Sequence, residues 1–401
     1  MATASPTTSP TASPIPCLPL VPSAEEEQLR RTVSSLSRRY GPAYFRQVSD
    51  EGKPAAAFWK ELGEGGFLGV HLPEEYDGGG SGLYDLALVI EETAAAGVPA
   101  LAAVFSSGVN GTILAQHGTA DQKDRWLRGL ATGATLSSFA ITEPDAGLNS
   151  HNISTTARRD GDDWVLDGQK YYISGMDEAD WAIVVARTGT DERSGRGLLS
   201  MFLVDADAEG LTFQPLPTAL QVPERQSTVF FDHVRVGRDR LIGVENRGLR
   251  AAFAGINAER LLVSSICTGV GRYALDKAVA YANERTVWKA PIGSHQAIAH
   301  PLAAAKVELE TARLMTAKAC MLYDLGRDAG EAGNMAKMTG VDAGLACLDA
   351  AIQTHGGNGV ALEYQLSNYW FLLRMLKIGP VSKEMILNFI AEHTLGLPRS
   401  Y

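Results

Sequence analysis

The spacing of apolar residues changes twice along this chain, and those two changes constrain its fold more than any other feature. From 24 to 135 apolar residues recur every three to four positions, the period of one helical face, as in "LYDLALVIEETAAAG", which stops at Gly97. "EEEQLRRTVSSLSRRY" opens with acids, which suit a helix start because the first backbone N–H groups lack partners there. From 136 to 245 the helical spacing is lost. Short β-branched and aromatic runs ("SSFAIT", "DWVLDGQKYYIS", "DWAIVVART", "LLSMFLVDA", "STVFFDHVRV") are separated by Asp, Gly and Pro, a pattern that predicts an antiparallel barrel or sandwich. From 246 to 401 long helical patterns return, ending in "KMTGVDAGLACLDAAIQTHGG", whose double glycine suits a helix C-cap. The expected architecture is mainly α with a β domain: a helical domain over 24–135, a β domain over 136–245 and a helical domain over 246–401.

Residues 1–23 stand apart. "MATASPTTSPTASPIPCLPLVP" is low-complexity Pro, Thr, Ser and Ala, with neither a basic start nor a continuous apolar stretch. It reads as a disordered tail, not a signal peptide, and should carry none of the chemistry. The net charge of −10 is spread among interspersed acids and bases, with no basic stripe for nucleic acid. No apolar run is long enough to predict a membrane span. Cys17, Cys267, Cys320 and Cys347 are widely separated, which fits reduced thiols in a cytoplasmic protein and no disulfide. His295 and His300 are spaced too widely to ligate from one helical face, and no metal is expected.

Three glycine-rich stretches invite a phosphate-binding reading. "YDGGGSG" (76–82) follows no strand and is read as a turn. Gly269, Gly271 and Ala274 spell G-x-G-x-x-A, but a dinucleotide site needs a strand, a tight turn and a helix start. Here Val263, Ile266, Val270, Tyr273 and Ala274 continue one helical stripe through the glycines, so small residues for close helix packing are expected. "THGGNG" (354–359) is read as a loop after a helix.

"FAITEPDAGLNS", "DWVLDGQKYYISG", "RTVWKAPIGSHQAIAHPLA" and "QTHGGNGVALEY" occur in that order. The ordered set resembles the acyl-CoA dehydrogenase family of flavoproteins across about residues 25–401. The resemblance implies an N-terminal helical domain, a middle β domain and a C-terminal four-helix bundle, assembled as a homo-oligomer, usually a tetramer. It implies FAD as cofactor and oxidation of an acyl thioester, on CoA or an acyl carrier protein, to the α,β-enoyl thioester. A carboxylate takes the α-proton while the β-hydride passes to flavin N5, and electron-transfer flavoprotein is the expected acceptor. Carried over residue by residue, Phe139, Ile141, Thr142, Tyr172 and Ser174 match positions at the flavin ring, with Gly147 also at the cofactor. Arg285, Trp288 and Gln296 match positions that reach the adenosine diphosphate half of FAD from a neighbouring subunit. Gln353 and Gly357 match a further contact to that half, and Ser382 with Glu384 a C-terminal pair at the cofactor. Arg285 has an independent rationale, since a diphosphate rewards a planar donor fork.

The base is displaced. Most members carry the catalytic glutamate near the C-terminus, and in "LLRMLKIGPVSKEMILNF" Arg374 and Ile378 match its flanks, which places Pro380 at that position. A minority, including isovaleryl- and long-chain-type enzymes, hold the base just before an arginine on another helix, and "NAER" fits that setting. Glu259 is therefore the expected base, placed at the head of the first C-terminal helix, with Arg260 supporting it beside the substrate. Two departures accompany it. Leu148 stands where a serine usually touches flavin phosphate or the thioester arm, and Pro380 lacks the backbone N–H used to polarise the thioester carbonyl. The alternatives are a flavin-dependent oxidase or monooxygenase on the same fold and a catalytically decayed flavin-binding protein.

Overall fold

The computed structural model describes residues 21–399. The expected tail, apart from its last few residues, and Cys17 lie outside the described residues. Helix α1 (Ala24–Asp50) starts where Ser23 accepts a hydrogen bond from the Glu26 N–H at 3.1 Å. It bends at Gly41, whose φ of 68° only glycine adopts freely, and Pro42 restarts the winding. Helices α2 (Ala56–Glu64) and α3 (Leu83–Ala95) follow, then a π-wound segment over Ala103–Gly111 that runs into α4 (Thr112–His117). Two short turns, α5 (Ala120–Gln122) and α6 (Arg128–Thr132), lead into the sheet.

The sheet comprises β1 (Ser137–Ala140), β2 (Thr156–Asp160), β3 (Asp163–Ser174), β4 (Trp181–Thr190), β5 (Gly197–Asp205), β6 (Leu211–Pro215), β7 (Gln226–Val236) and β8 (Leu241–Ile242). Its order is β6-β7-β3-β2-β4-β5-β8, with β1 beside β4. Most pairs are antiparallel as expected, but β4 runs parallel to both β1 and β2. The cause is topological. After the β2–β3 hairpin the chain crosses back to the far side of β2, so β4 arrives in the direction of β2. Alternate residues face two cores. Trp164, Phe202 and Val234 pack inside the β domain. Ile183, Val185, Met201 and Leu203 face the helices, against Val109, Ile113 and Leu127.

After the sheet comes α7 (Gly248–Glu284), followed by the hairpin β9 (Thr286–Val287) and β10 (Ala290–Pro291), then α8 (Gln296–Asp324) and α9 (Gly330–His355). Leu86 and Ile90 of α3 share one core with Leu262 and Ile266 of α7, Leu309 of α8 and Leu348 of α9. The G-x-G stretch lies inside α7. A Cβ on Gly269 would come within 2.5 Å of the Glu91 carbonyl on α3, so glycine here sets the approach of two helices. "THGGNG" is not wholly a loop: after Gly356, at φ 60°, residues Gly357–Val360 make one further helical turn, α10. The fourth member of the bundle is broken into α11 (Trp370–Ile378) and α12 (Lys383–Phe389), because Gly379 is extended and proline cannot continue the helix. No helix among the described residues is long and apolar enough to cross a membrane.

Candidate functional site

Glu259 is not at a helix head. Helix α7 begins at Gly248, which places Glu259 about three turns inside it. The small residues of "GLRAAFAGINAER" let the helix extend upstream, so the helix dipole is no reason for a carboxylate here. The side chain is half-buried, and among the described residues its carboxylate makes no hydrogen bond or ion pair. Burial pushes its pKa up to about 7, against the weaker pull of Arg260 and Lys337.

Both cations direct their donors elsewhere. Arg260 donates from Nη1 to Asn334 Oδ1 on α9 at 2.6 Å and from Nη2 to Asn257 Oδ1. Lys337, buried on α9, donates from Nζ to the carbonyls of Val381 at 2.7 Å and Lys377 at 3.2 Å. Those carbonyls flank Pro380, so the turn that lacks the usual glutamate is fastened beside Glu259. Ser382 caps α12, its Oγ accepting from the Met385 N–H at 3.4 Å. Glu384 is exposed on the first turn of α12, where its own backbone amide and Ser382 hold its carboxyl below the usual range.

The two stretches expected at the flavin ring are adjacent in space. Tyr171 N–H donates to the Thr142 carbonyl at 2.9 Å, and Ser138 Oγ donates to the Ser174 carbonyl at 2.9 Å. Lys170, fully buried, donates to the Ile141 carbonyl at 3.0 Å and to Glu143 Oε1 at 2.8 Å. Although burial opposes it, Lys170 and the amides of residues 154 and 155 hold Glu143 at about 2. This pair fixes the frame that carries Phe139, Ile141 and Thr142. Tyr172 projects into solvent from a left-handed backbone, φ 57°, costly for a bulky residue and typical of functional positions. Ser174 Oγ accepts from Gln226 Nε2 at 2.8 Å. A Cβ on Gly147 would meet nothing within 4 Å, and Leu148 beside it is exposed. An exposed aromatic ring, a hydroxyl and a bare backbone on these stretches suit a flat ligand with a polar edge.

The remaining expected residues lie elsewhere. Arg285 caps α7 just before the β9–β10 hairpin, Trp288 lies in that hairpin's turn and Gln296 opens α8; all three are exposed, Trp288 by 87%. Gln353 and Gly357 sit at the C-terminal end of α9, and Gln353 lines an open groove with Ala297 and Ile298 of α8. Lys337 and Gln353 lie about 24 Å apart along α9 at 1.5 Å per residue. One chain therefore separates the Glu259 end from the Arg285–Gln353 end. Lys170 and Lys337 escaped the sequence reading; the available signal was a lysine set among apolar neighbours, in "GQKYYI" and "NMAKMTG".

Three sequence models match the chain: the acyl-CoA dehydrogenase N-terminal domain over residues 23–134, its middle domain over 138–234 and its C-terminal domain over 246–395. The acyl-CoA dehydrogenase FadE12 of Mycobacterium tuberculosis is 48% identical over 383 residues, covering 95% of this chain and 98% of FadE12. A glutaryl-coenzyme A dehydrogenase in complex with glutaryl-CoA superposes with a TM-score of 0.89 at 28% identity, covering 95% of this chain and 98% of that one. Butyryl-CoA dehydrogenase from Megasphaera elsdenii has the same fold, with a TM-score of 0.89 at 23% identity, covering 94% of this chain and 100% of that one.

Proposed function

The chain belongs to the acyl-CoA dehydrogenase family, oxidoreductases acting on CH–CH bonds, and from that premise we propose that it desaturates an acyl thioester with Glu259 as the base. The observation that carries this reading is the Glu259 carboxylate itself, half-buried, without a hydrogen-bonding partner, and raised to about 7 by burial. A base works best when its proton affinity is matched to working pH, and a carboxylate spent on an ion pair would be too weak. Taking the α-proton as neutral Glu259 also relieves the desolvation cost of the charged form. Pro380 has no N–H to offer the thioester carbonyl, so polarisation must come from another donor. Arg260, held by Asn334 and Asn257, keeps a positive charge next to the base.

FAD would lie against Phe139, Ile141, Thr142, Gly147, Tyr172 and Ser174, with Ser382 and Glu384 near it. When bound, it supplies the acceptor for the β-hydride, so that loss of the α-proton to Glu259 completes the enoyl thioester. The thioester, on CoA or an acyl carrier protein, would pass Leu148 at the rim. Arg285, Trp288, Gln296, Gln353 and Gly357 serve the adenosine diphosphate half of a neighbouring subunit's FAD. Their exposure, and the separation of Gln353 from Lys337 along α9, support a homo-oligomer, with a tetramer as the family's form. Electron-transfer flavoprotein is the proposed acceptor, and three buried free thiols support a cytoplasmic location. The domain division at 135/136 and 245/246 belongs to the same reading.

Glu259→Gln tests the assignment, because it keeps the shape and removes the proton acceptor. Anaerobic reduction of bound flavin by an acyl thioester should slow by about 10²–10⁴, the usual contribution of a positioned base. Flavin content should stay at the wild-type level. Reduction at the wild-type rate would remove Glu259 from the role.

A further inference from the structure

The turn between α11 and α12 is fastened to α9 at two points. Asp342 takes Lys377 Nζ at 2.6 Å and Lys383 Nζ at 3.2 Å, but these side chains are about a third or more exposed, and such pairs contribute little. Lys337 is the buried anchor. It is 2% exposed, and its Nζ reaches the carbonyls of Val381 and Lys377 on either side of Pro380. An ammonium removed from water costs far more than it gains unless carbonyls or a counter-charge replace its hydration. Here two carbonyls do so, and no acid makes a salt bridge to it among the described residues.

Lys337 also lies close enough to Glu259 for the two charges to act on each other. Parallel packing of α7 on α9 is fixed by Arg260 to Asn334 and by Ser264 Oγ, which donates to the Ala336 carbonyl at 2.9 Å. The groups that face Lys337 are the Cys267 thiol and Glu259 from α7, Asp342 from its own helix and Glu384 from α12. Cys267 is a fully buried thiol whose pKa burial pushes above its ordinary value, so it carries no charge at neutral pH. Asp342 is engaged by two other lysines and Glu384 is exposed. Glu259 is the facing carboxylate left without a partner. Burial lowers Lys337 to about 8, so it remains charged through the range in which Glu259 titrates.

We propose that Lys337 is a positioning residue for proton abstraction: its ammonium fastens the 377–381 turn to α9 and adds to Arg260 a second positive charge near Glu259. This deepens the reading of Glu259 as base and rests on it. The chain has lost both a carboxylate and a backbone donor at position 380, and Lys337 keeps the emptied turn from drifting into the space where the thioester must lie.

The test reads Glu259 without turnover. In the FAD-loaded protein, the infrared C=O stretch of protonated Glu259, assigned by its absence in Glu259→Gln, should titrate near pH 7. In Lys337→Met the midpoint should rise by about one pH unit, as expected when a nearby opposite charge is removed. Amide hydrogen exchange over 377–385 should quicken at least about tenfold, because two carbonyls of the turn lose the donor that fastens them. Lys337→Arg keeps the charge and should keep the wild-type midpoint. A folded Lys337→Met protein with unchanged midpoint and unchanged exchange overturns the proposal. Should the methionine variant not fold, Lys337→Gln carries the same expectation, and an arginine variant whose midpoint rises despite its charge also overturns it. A wrong base would show separately, as a Glu259→Gln enzyme that still reduces its flavin at the wild-type rate.

Discussion

Helix α7 packs against one pair of buried acids and carries a half-buried acid of its own, and the two sites are treated in opposite ways. Near its middle, Glu91 and Glu92 of α3 are almost fully buried and surrounded by three arginines. Arg30 Nη1 reaches Glu91 at 2.6 Å and Glu92 at 2.8 Å, Arg272 reaches Glu92 at 2.6 Å, and Arg313 reaches Glu91 at 2.6 Å. Thr268 Oγ1 adds a hydrogen bond to Glu91 at 3.3 Å. Burial alone would raise Glu91, but Arg313, Arg272 and Arg30 overcome it and hold the carboxyl at about 2. Less than three turns upstream on the same helix, Glu259 has two cations near it and bonds to neither. Burial wins there, and the group sits near 7. The first set joins α1, α3, α7 and α8 into one body. The second leaves a carboxylate able to accept a proton.

The contrast has a largest consequence at the paired site. Glu91→Ala leaves three partly buried guanidiniums short of a counter-charge, and should destabilise the folded protein by about 3–5 kcal/mol. Chemical unfolding measures it, and a loss below about 1 kcal/mol would dissolve the distinction between the two sites. The wild-type protein should also lose the Glu91 contribution on acidification. A depressed folded pKa stabilises above the unfolded value near 4.5, and that stability disappears as pH falls towards about 2.

Glu259 has the opposite sign and a smaller effect on stability. Its folded pKa is raised, so the folded state holds a proton that the unfolded chain has released between about 4.5 and 7. Its charge therefore costs stability as pH rises through that window, and the cost is complete above about 7. Glu259→Gln should match wild type in unfolding at pH 4 and exceed it at pH 8. Equal stability at both would mean that the carboxylate is better solvated than its surroundings indicate.

Much of this was legible in the sequence because periodicity reports local burial. The helical stripes and the β runs depend on neighbours within a few residues, and helices and strands form along them. The parallel placement of β4 depends on which side of β2 the chain returns to, which no local pattern records. The start of α7 was misplaced because Glu259 and Arg260 look like a helix end, whereas their reason lies in α9 and the 377–381 turn. Lys170 and Lys337 were missed for a related cause. Lysine is normally solvated, and only a carbonyl or carboxylate brought from a distant segment makes its burial tolerable. The expectation that Glu259 is the base came from resemblance and from the proline at 380, not from periodicity.

The most direct test of Glu259 as an unpaired base is the pH dependence of anaerobic flavin reduction in the wild-type protein, measured in single turnover at saturating acyl thioester. A carboxylate raised to about 7 gives a rate that climbs tenfold per pH unit below that value and levels above it, a limb that Glu259→Gln should abolish. A rate that stays flat from pH 5 to pH 9, or a limb that survives in Glu259→Gln, would contradict it.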